Sequence, residues 1–408
     1  MKRVMLIITA VLTVAFFSSC HKDPQPNSGC PVVLTNEVTE IGTHSAVCCS
    51  TVTDQGGSSI LVRGICWGLS PNPTTNDSFE NSDVYIKTDS VQGVGDFKVR
   101  MKGLAANATY YVRAYATNSK GISYGEEVSF TTQSYGDDVP EGGVNALFSV
   151  DENGGKVWFS KGNLQFQPFT GTWRFAEDQW NVCDTTLDEH VTPDYMEGSS
   201  AWIELFGWGT SGYDHGAVNY QPWSTSTIPS NYIAYGLAES NLCDQTGKAD
   251  WGYNAISNGG NTENSGWRTL TKDEWNYLLM ERPNASRLFG QGQVAGMNGL
   301  IILPDDWMLP NGFSFVTGLS QWKNSYTAEQ WRKMELAGAV FLPAVGMREG
   351  TKLLHMMGSG NYWSSTCLIG SGMQYGTYAL YFGYETMASD NVVDRCQGFS
   401  VRLVRAFE

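Results

Sequence analysis

The chain has 408 residues, with 26 Lys and Arg against 41 Asp and Glu and a formal net charge of −15 at pH 7. That balance opposes binding to nucleic acid or to an anionic membrane surface. Apolar residues make up 41% and charged residues only 16%, with 14 Trp, 19 Tyr, 18 Phe and 45 Gly, which excludes a disordered chain and favours β-rich domains joined by turns and long, self-packed loops.

In chain order, Met1-Lys2-Arg3 is positive, Val4 to Phe17 is apolar, and Phe17-Ser18-Ser19-Cys20 is a small-residue cleavage site ending in cysteine. The apolar run is short for a membrane span and reads as an export signal over residues 1–20. Its cysteine makes it resemble a bacterial lipoprotein signal. That resemblance implies lipidation of Cys20, attachment to the membrane through the lipid only, and a place in the cell envelope as a surface-exposed outer-membrane lipoprotein. His21-Lys22-Asp23 only partly resembles an acidic surface-export tag, which leaves the periplasmic face open. Residues 21–29 are polar and proline-bearing and form a tether.

Residues 30–133 read as short strands between turn signals: Ser45–Val52, Ile60–Trp67, Asp96–Met101, Thr109–Ala116 and Glu127–Thr131. Tyr110, Val112, Ala114 and Ala116 alternate with Tyr111, Arg113 and Tyr115, the period of a half-buried strand. Leu104, Tyr110 and the closing Tyr124-Gly125-Glu126…Ser129-Phe130-Thr131-Thr132 resemble the end of a fibronectin type III domain. The resemblance implies a β-sandwich acting as a spacer.

Residues 134–143 are an acidic linker containing Pro140, Gly142 and Gly143. The unit 144–408 has a different texture, dense in Trp and Gly, with Tyr195–Gly266 mostly polar loop. Capping boxes at Thr271/Glu274 and Thr327/Gln330 predict two helices, one over Glu274–Glu281 and one carrying Trp331 and Met334. Gly266-Trp267-Arg268-Thr269-Leu270-Thr271 with Glu274-Trp275 resembles the C-type-lectin-like fold shared with formylglycine-generating enzymes. The tail, Gly360-Asn361-Tyr362-Trp363-Ser364-Ser365-Thr366…Gly398-Phe399-Ser400-Val401-Arg402-Leu403-Val404-Arg405, resembles FISUMP-type domains of that fold. The expected architecture is therefore β-rich with two domains, a fibronectin type III-like sandwich and an α+β C-type-lectin-like domain with long loops. The resemblance also implies chain ends that return to one small sheet and an exposed face built from the last loops.

Beyond Cys20 there are eight cysteines, and an even set in an exported chain permits disulfides. Pairing within domains would join Cys183 to Cys243, Cys367 to Cys396, and Cys66 to Cys48 or Cys49; burial as small hydrophobes is the alternative. Cys367 and Cys396 do not match the copper-binding motif of formylglycine-generating enzymes. The histidines lack metal-ligand spacing, and no nucleophile elbow or phosphate loop is present. The expectation is a binding protein without catalysis and without a cofactor. A calcium ion on the loop Asn261, Glu263, Asn264 is the weaker alternative to ordinary turn chemistry.

The expected binding face is the tail: Gln374, Tyr375, Tyr378, Tyr384 and Asp390, because tyrosine gives rigid contact area at low entropic cost. The expected function is adhesin-like recognition of a protein or glycan at the cell surface. The alternative is a structural subunit of a surface appendage or envelope complex.

Overall fold

The computed structural model describes residues 29–77, 85–89, 93–133, 139–183, 194–213, 220–232, 240–244, 246–310, 312–368 and 375–407. Cys20 and Gln374 lie outside them. The chain is β-rich, with seven sheets among the described residues.

The first eight strands are β1 (Val32–Thr39), β2 (Ser45–Asp54), β3 (Val62–Gly68), β4 (Tyr85–Thr88), β5 (Gly95–Lys102), β6 (Thr109–Asn118), β7 (Gly121–Tyr124) and β8 (Val128–Thr131). They make two sheets, β1-β2-β5 and β4-β3-β6-β7, with β8 also pairing with β6. Alternating residues from both sheets, among them Val33, Ala46, Ile65, Trp67, Phe97, Val99, Val112 and Ala114, enclose one core, as in two antiparallel sheets packed face to face. Leu104 is buried in that core, and the Tyr110 hydroxyl accepts from the Ala105 N–H at 2.9 Å, a corner that pins the turn to the strand it opens.

The same alternation corrects the expected bridge from Cys66 to Cys48, and the alternative bridge to Cys49 is not formed either. Ile65 and Trp67 face the core, so Cys66 between them faces the other way, where its Sγ donates to Pro73 O at 3.3 Å. Cys48 faces the core and Cys49 the outside. All eight described cysteines are thiols, so the expected Cys183–Cys243 and Cys367–Cys396 bridges are likewise not formed. Burial pushes the Cys48 thiol up to about 11, and burial with the Asp394 charge does the same to Cys396. Cys243 is also raised, by burial and then by Asp250 and Asp244.

The second unit begins with β9 (Phe148–Ser149), β10 (Lys156–Phe159), β11 (Leu164–Gln167) and β12 (Thr172–Phe175), and continues after long loops with β13 (Trp267–Thr269). Next come α1 (Lys272–Asn276), β14 (Phe289–Val294), β15 (Met297–Ile302), β16 (Asn324–Tyr326), α2 (Ala328–Leu336) and β17 (Val340–Pro343). The last six strands are β18 (Met347–Glu349), β19 (Lys352–Leu354), β20 (Ser359–Cys367), β21 (Gly376–Gly383), β22 (Met387–Asp394) and β23 (Leu403–Ala406). β23 inserts between β10 and β13 in the order β13-β23-β10-β9, so the last strand lies beside the first strands of this second unit. The two larger remaining sheets are β16-β14-β15-β17 and β20-β21-β22.

Both capping boxes form, at Thr271/Glu274 and Thr327/Gln330. The first helix differs in its end: after α1 the backbone widens into a π-turn over Tyr277–Glu281. The motif that resembles lectin-like folds has a local explanation. Arg268 donates to both Glu274 oxygens, at 2.7 and 2.5 Å, while Glu274 also accepts the Thr271 N–H. Burial alone would lower the Arg268 pKa; the Glu274 hydrogen bonds and charge outweigh it and raise it.

Residues 176–266 contain no strand among the described residues, only short 3₁₀ turns such as Trp251–Tyr253. Their order comes from side chains. Trp208 and Trp251 are fully buried in one apolar cluster, and buried arginines take up loop carbonyls that have no ladder partner. Arg348 donates to Leu205 O and Ser224 O, both at 3.1 Å. Arg395 lies 4.4 Å over Trp208 and donates to Tyr232 O at 3.4 Å; burial lowers its pKa.

Candidate functional site

The sheet β20-β21-β22 has two unlike faces. Tyr362, Leu380 and Phe382 point into the cluster that includes Trp275 on α1. Trp363, Ala379 and Val393 point the other way, against Trp208 and Phe399. At the Ser359 end this second face opens into a cleft of about 480 Å³. Asn361 and Tyr381 are cross-strand partners in its wall, and Asn391 and Val393 continue it on β22.

The opposite wall is local in sequence. β18 and β19 form a hairpin that begins after Gly346, whose φ is +77°; a Cβ there would lie 2.1 Å from Leu354 O. Asn361 Nδ2 donates to Gly346 O at 2.9 Å and locks the hairpin to the sheet. The chain re-enters β20 through His355 and Met357, with φ of 57° and 60°. A left-handed backbone costs a non-glycine residue roughly 1–2 kcal/mol, and such strain gathers at ligand sites. Met347, Met356 and Phe399 supply apolar surface, and Gln397 closes the end.

Apart from Asn361, the polar side chains lining this cleft are not taken up by the protein itself. Among the described residues, the Tyr381 hydroxyl, the Asn391 carboxamide, the Ser359 hydroxyl and the His355 ring take part in no hydrogen bond. The Gln397 Oε1 is shut off from solvent and has no hydrogen-bond partner. It is one of ten such buried side-chain atoms among the described residues, and of these it alone belongs to a residue lining the cleft. A phenol, two carboxamides, a hydroxyl and an imidazole thus converge with both donors and acceptors to offer.

The tail residues expected from the sequence do not form one patch. Tyr375 and Tyr384 flank opposite ends of β21, about 30 Å apart at strand rise. Tyr384 is exposed at the β21–β22 hairpin, where its neighbour Glu385 contacts Gln321. Tyr378 lies on the α1 side, with Lys272 Nζ 5.4 Å from its ring. Tyr378 and the exposed Asp390 are brought together there, around Lys272, whose pKa is raised by its hydrogen bond to Asp273 and, further down, by the Tyr378 and Asp390 charges. Neither lines the cleft. Tyr381, the tyrosine that does, reads in the sequence as one member of an alternating core strand.

The loop considered for calcium is built as a turn. Asn261 and Asn264 take left-handed backbone, with φ of 46° and 54°. Asn258 is held by Phe175, accepting its N–H at 2.8 Å and donating to its carbonyl at 3.0 Å. Glu263 is exposed. Among the described residues no group of three His, Cys, Asp or Glu is placed to hold a metal ion.

No family model matches the chain, and no curated protein does. Solved structures do match. The sensor domain of the anti-sigma factor RsgI4 of Pseudobacteroides cellulosolvens matches at 18% identity and a TM-score of 0.19, covering 25% of this chain and 94% of that one. A computationally redesigned β-sandwich protein matches at 23% identity and 0.18, covering 26% and 95%. The third fibronectin III domain of human KIAA0343 matches at 17% and 0.19, covering 30% and 98%. These neighbours are fibronectin III-like or β-sandwich domains and a bacterial sensor domain.

Proposed function

We propose that the chain is a lipid-anchored binding protein of the cell envelope. A fibronectin type III-like sandwich spaces a C-type-lectin-like domain away from the membrane, and that domain recognises a protein or glycan. The observation that carries the reading is the cleft beside Tyr381, where five polar side chains without hydrogen-bond partners converge over methionine and phenylalanine. Few convergent polar groups on an apolar wall are the ordinary make-up of a ligand site. The anchor rests on the resemblance of residues 1–20 to a lipoprotein signal, and the lectin-like assignment on the Trp267–Trp275 and Gly360–Arg405 motifs.

The test is a screen of the immobilised full-length protein against glycan and surface-protein panels, with and without EDTA. A specific hit weakened by Tyr381→Ala and left unchanged by Tyr375→Ala and Tyr384→Ala supports the reading. A hit that depends on Tyr384 and not on Tyr381 moves recognition to the β21–β22 hairpin. Capture of envelope partners alone, through neither residue, favours a structural subunit.

A further inference from the structure

We infer that the cleft beside Tyr381 takes an uncharged carbohydrate and holds it without a metal ion; the inference rests on the reading of this cleft as the recognition site. None of the residues lining it is an acid, a lysine or an arginine. A charged ligand would shed hydration there with no counter-charge to replace it, which is costly. The protein's net charge of −15 adds a field against anions.

What the cleft does offer is matched to alcohols. The Tyr381 and Ser359 hydroxyls, the Asn391 and Gln397 carboxamides and the His355 ring can each donate and accept, as each sugar hydroxyl does. Met347, Met356, Val393 and Phe399 line the same space and suit the C–H faces of a pyranose. Its volume of about 480 Å³ falls within the roughly 300–1,000 Å³ of small-ligand sites. An extended peptide fits less well, because strand addition needs an open backbone edge. The cleft wall is a sheet face, on which β20 and β21 are already paired, Ser359 with Gly383 through Trp363 with Ala379.

The experiment uses the full-length protein in a zwitterionic, sugar-free detergent. It is titrated with neutral oligosaccharides of glucose, galactose, mannose and N-acetylglucosamine, with uronic-acid and sialylated counterparts, and with a random peptide library. Each titration is run at low and high salt and with EDTA. At least one neutral series binds, indifferent to salt and EDTA, and weakens about five- to tenfold in Tyr381→Phe and in Gln397→Ala, with Tyr375→Ala unchanged. Thermal melts establish that the variants fold, and Asn391→Asp, at a half-exposed position, tests the site by adding charge to the cleft. Binding confined to acidic sugars, abolished by EDTA, or seen only with peptides and lost in Tyr381→Phe would overturn the inference while leaving the cleft a recognition site. If no binding responds to Tyr381→Phe, Gln397→Ala or Asn391→Asp, the recognition reading falls and this inference with it.

Discussion

Arg268, Asp305 and Gly360 each hold two elements together, and each makes a measurable claim. Glu274 serves both Arg268 and the helix N-cap, so Glu274→Ala strips the capping box and leaves a mostly buried guanidinium unpaired. Urea unfolding should show a loss of about 2 kcal/mol. Asp305 accepts from the Ser149 N–H and hydroxyl, Arg282 and Lys156. Burial would raise its pKa, but those partners outweigh burial and hold it below 3.8. A depressed carboxylate contributes stability that is complete above its unfolded pKa and is lost as pH falls through the folded value. Stability should therefore drop on acidification below about pH 4, less steeply in Asp305→Asn. Gly360 lies under the Phe382 ring, where a Cβ would come within 2.1 Å. Gly360→Ala should cost about 1–3 kcal/mol by overpacking, read as a lower melting temperature. The cysteines give a simpler count: in guanidinium without reductant, eight thiols should react. A count of six or fewer would show a bridge.

At the scale of elements, what was legible in the sequence was local. The two capping boxes form because their partners lie three residues apart, and the sandwich strands follow their alternation. Longer-range geometry was hidden. The expected Cys48–Cys66 bridge ignored that Cys66 alternates with Ile65 and Trp67 and so faces away from Cys48. The tail tyrosines are near one another in sequence, yet strand rise sets Tyr375 and Tyr384 apart and the pleat turns Tyr378 away from Tyr381. The cleft draws on residues 347 to 399 from four strands and two connections, and β22 shifts register between the partners of Ala379 and Tyr381. Only the cross-strand register places Tyr381 beside Asn361. The left-handed backbone at Met357 has no sequence signal either, since methionine, unlike His355, is not a residue type that favours it.

At the scale of the molecule, the sandwich meets the second unit through its lower loops. His44 Nε2 lies 3.8 Å from Asp306, Asn145 Nδ2 donates to Ala106 O at 3.3 Å, and a Cβ on Gly103 would come within 2.5 Å of Pro310. No helix among the described residues is long and apolar enough to cross a membrane. Anchoring in this account depends on Cys20: Cys20→Ser should shift the protein from the membrane to the soluble fraction, and retention would indicate another attachment. The central claim is that the cleft beside Tyr381 is where a ligand sits. Hydrogen–deuterium exchange of the full-length protein, with and without the hit from the binding screen, tests it most directly. The account predicts protection over residues 355–361, 378–383 and 391–399, with the sandwich unchanged. Protection centred on the Tyr384 hairpin, on Lys272 and Asp390, or on the sandwich would contradict it.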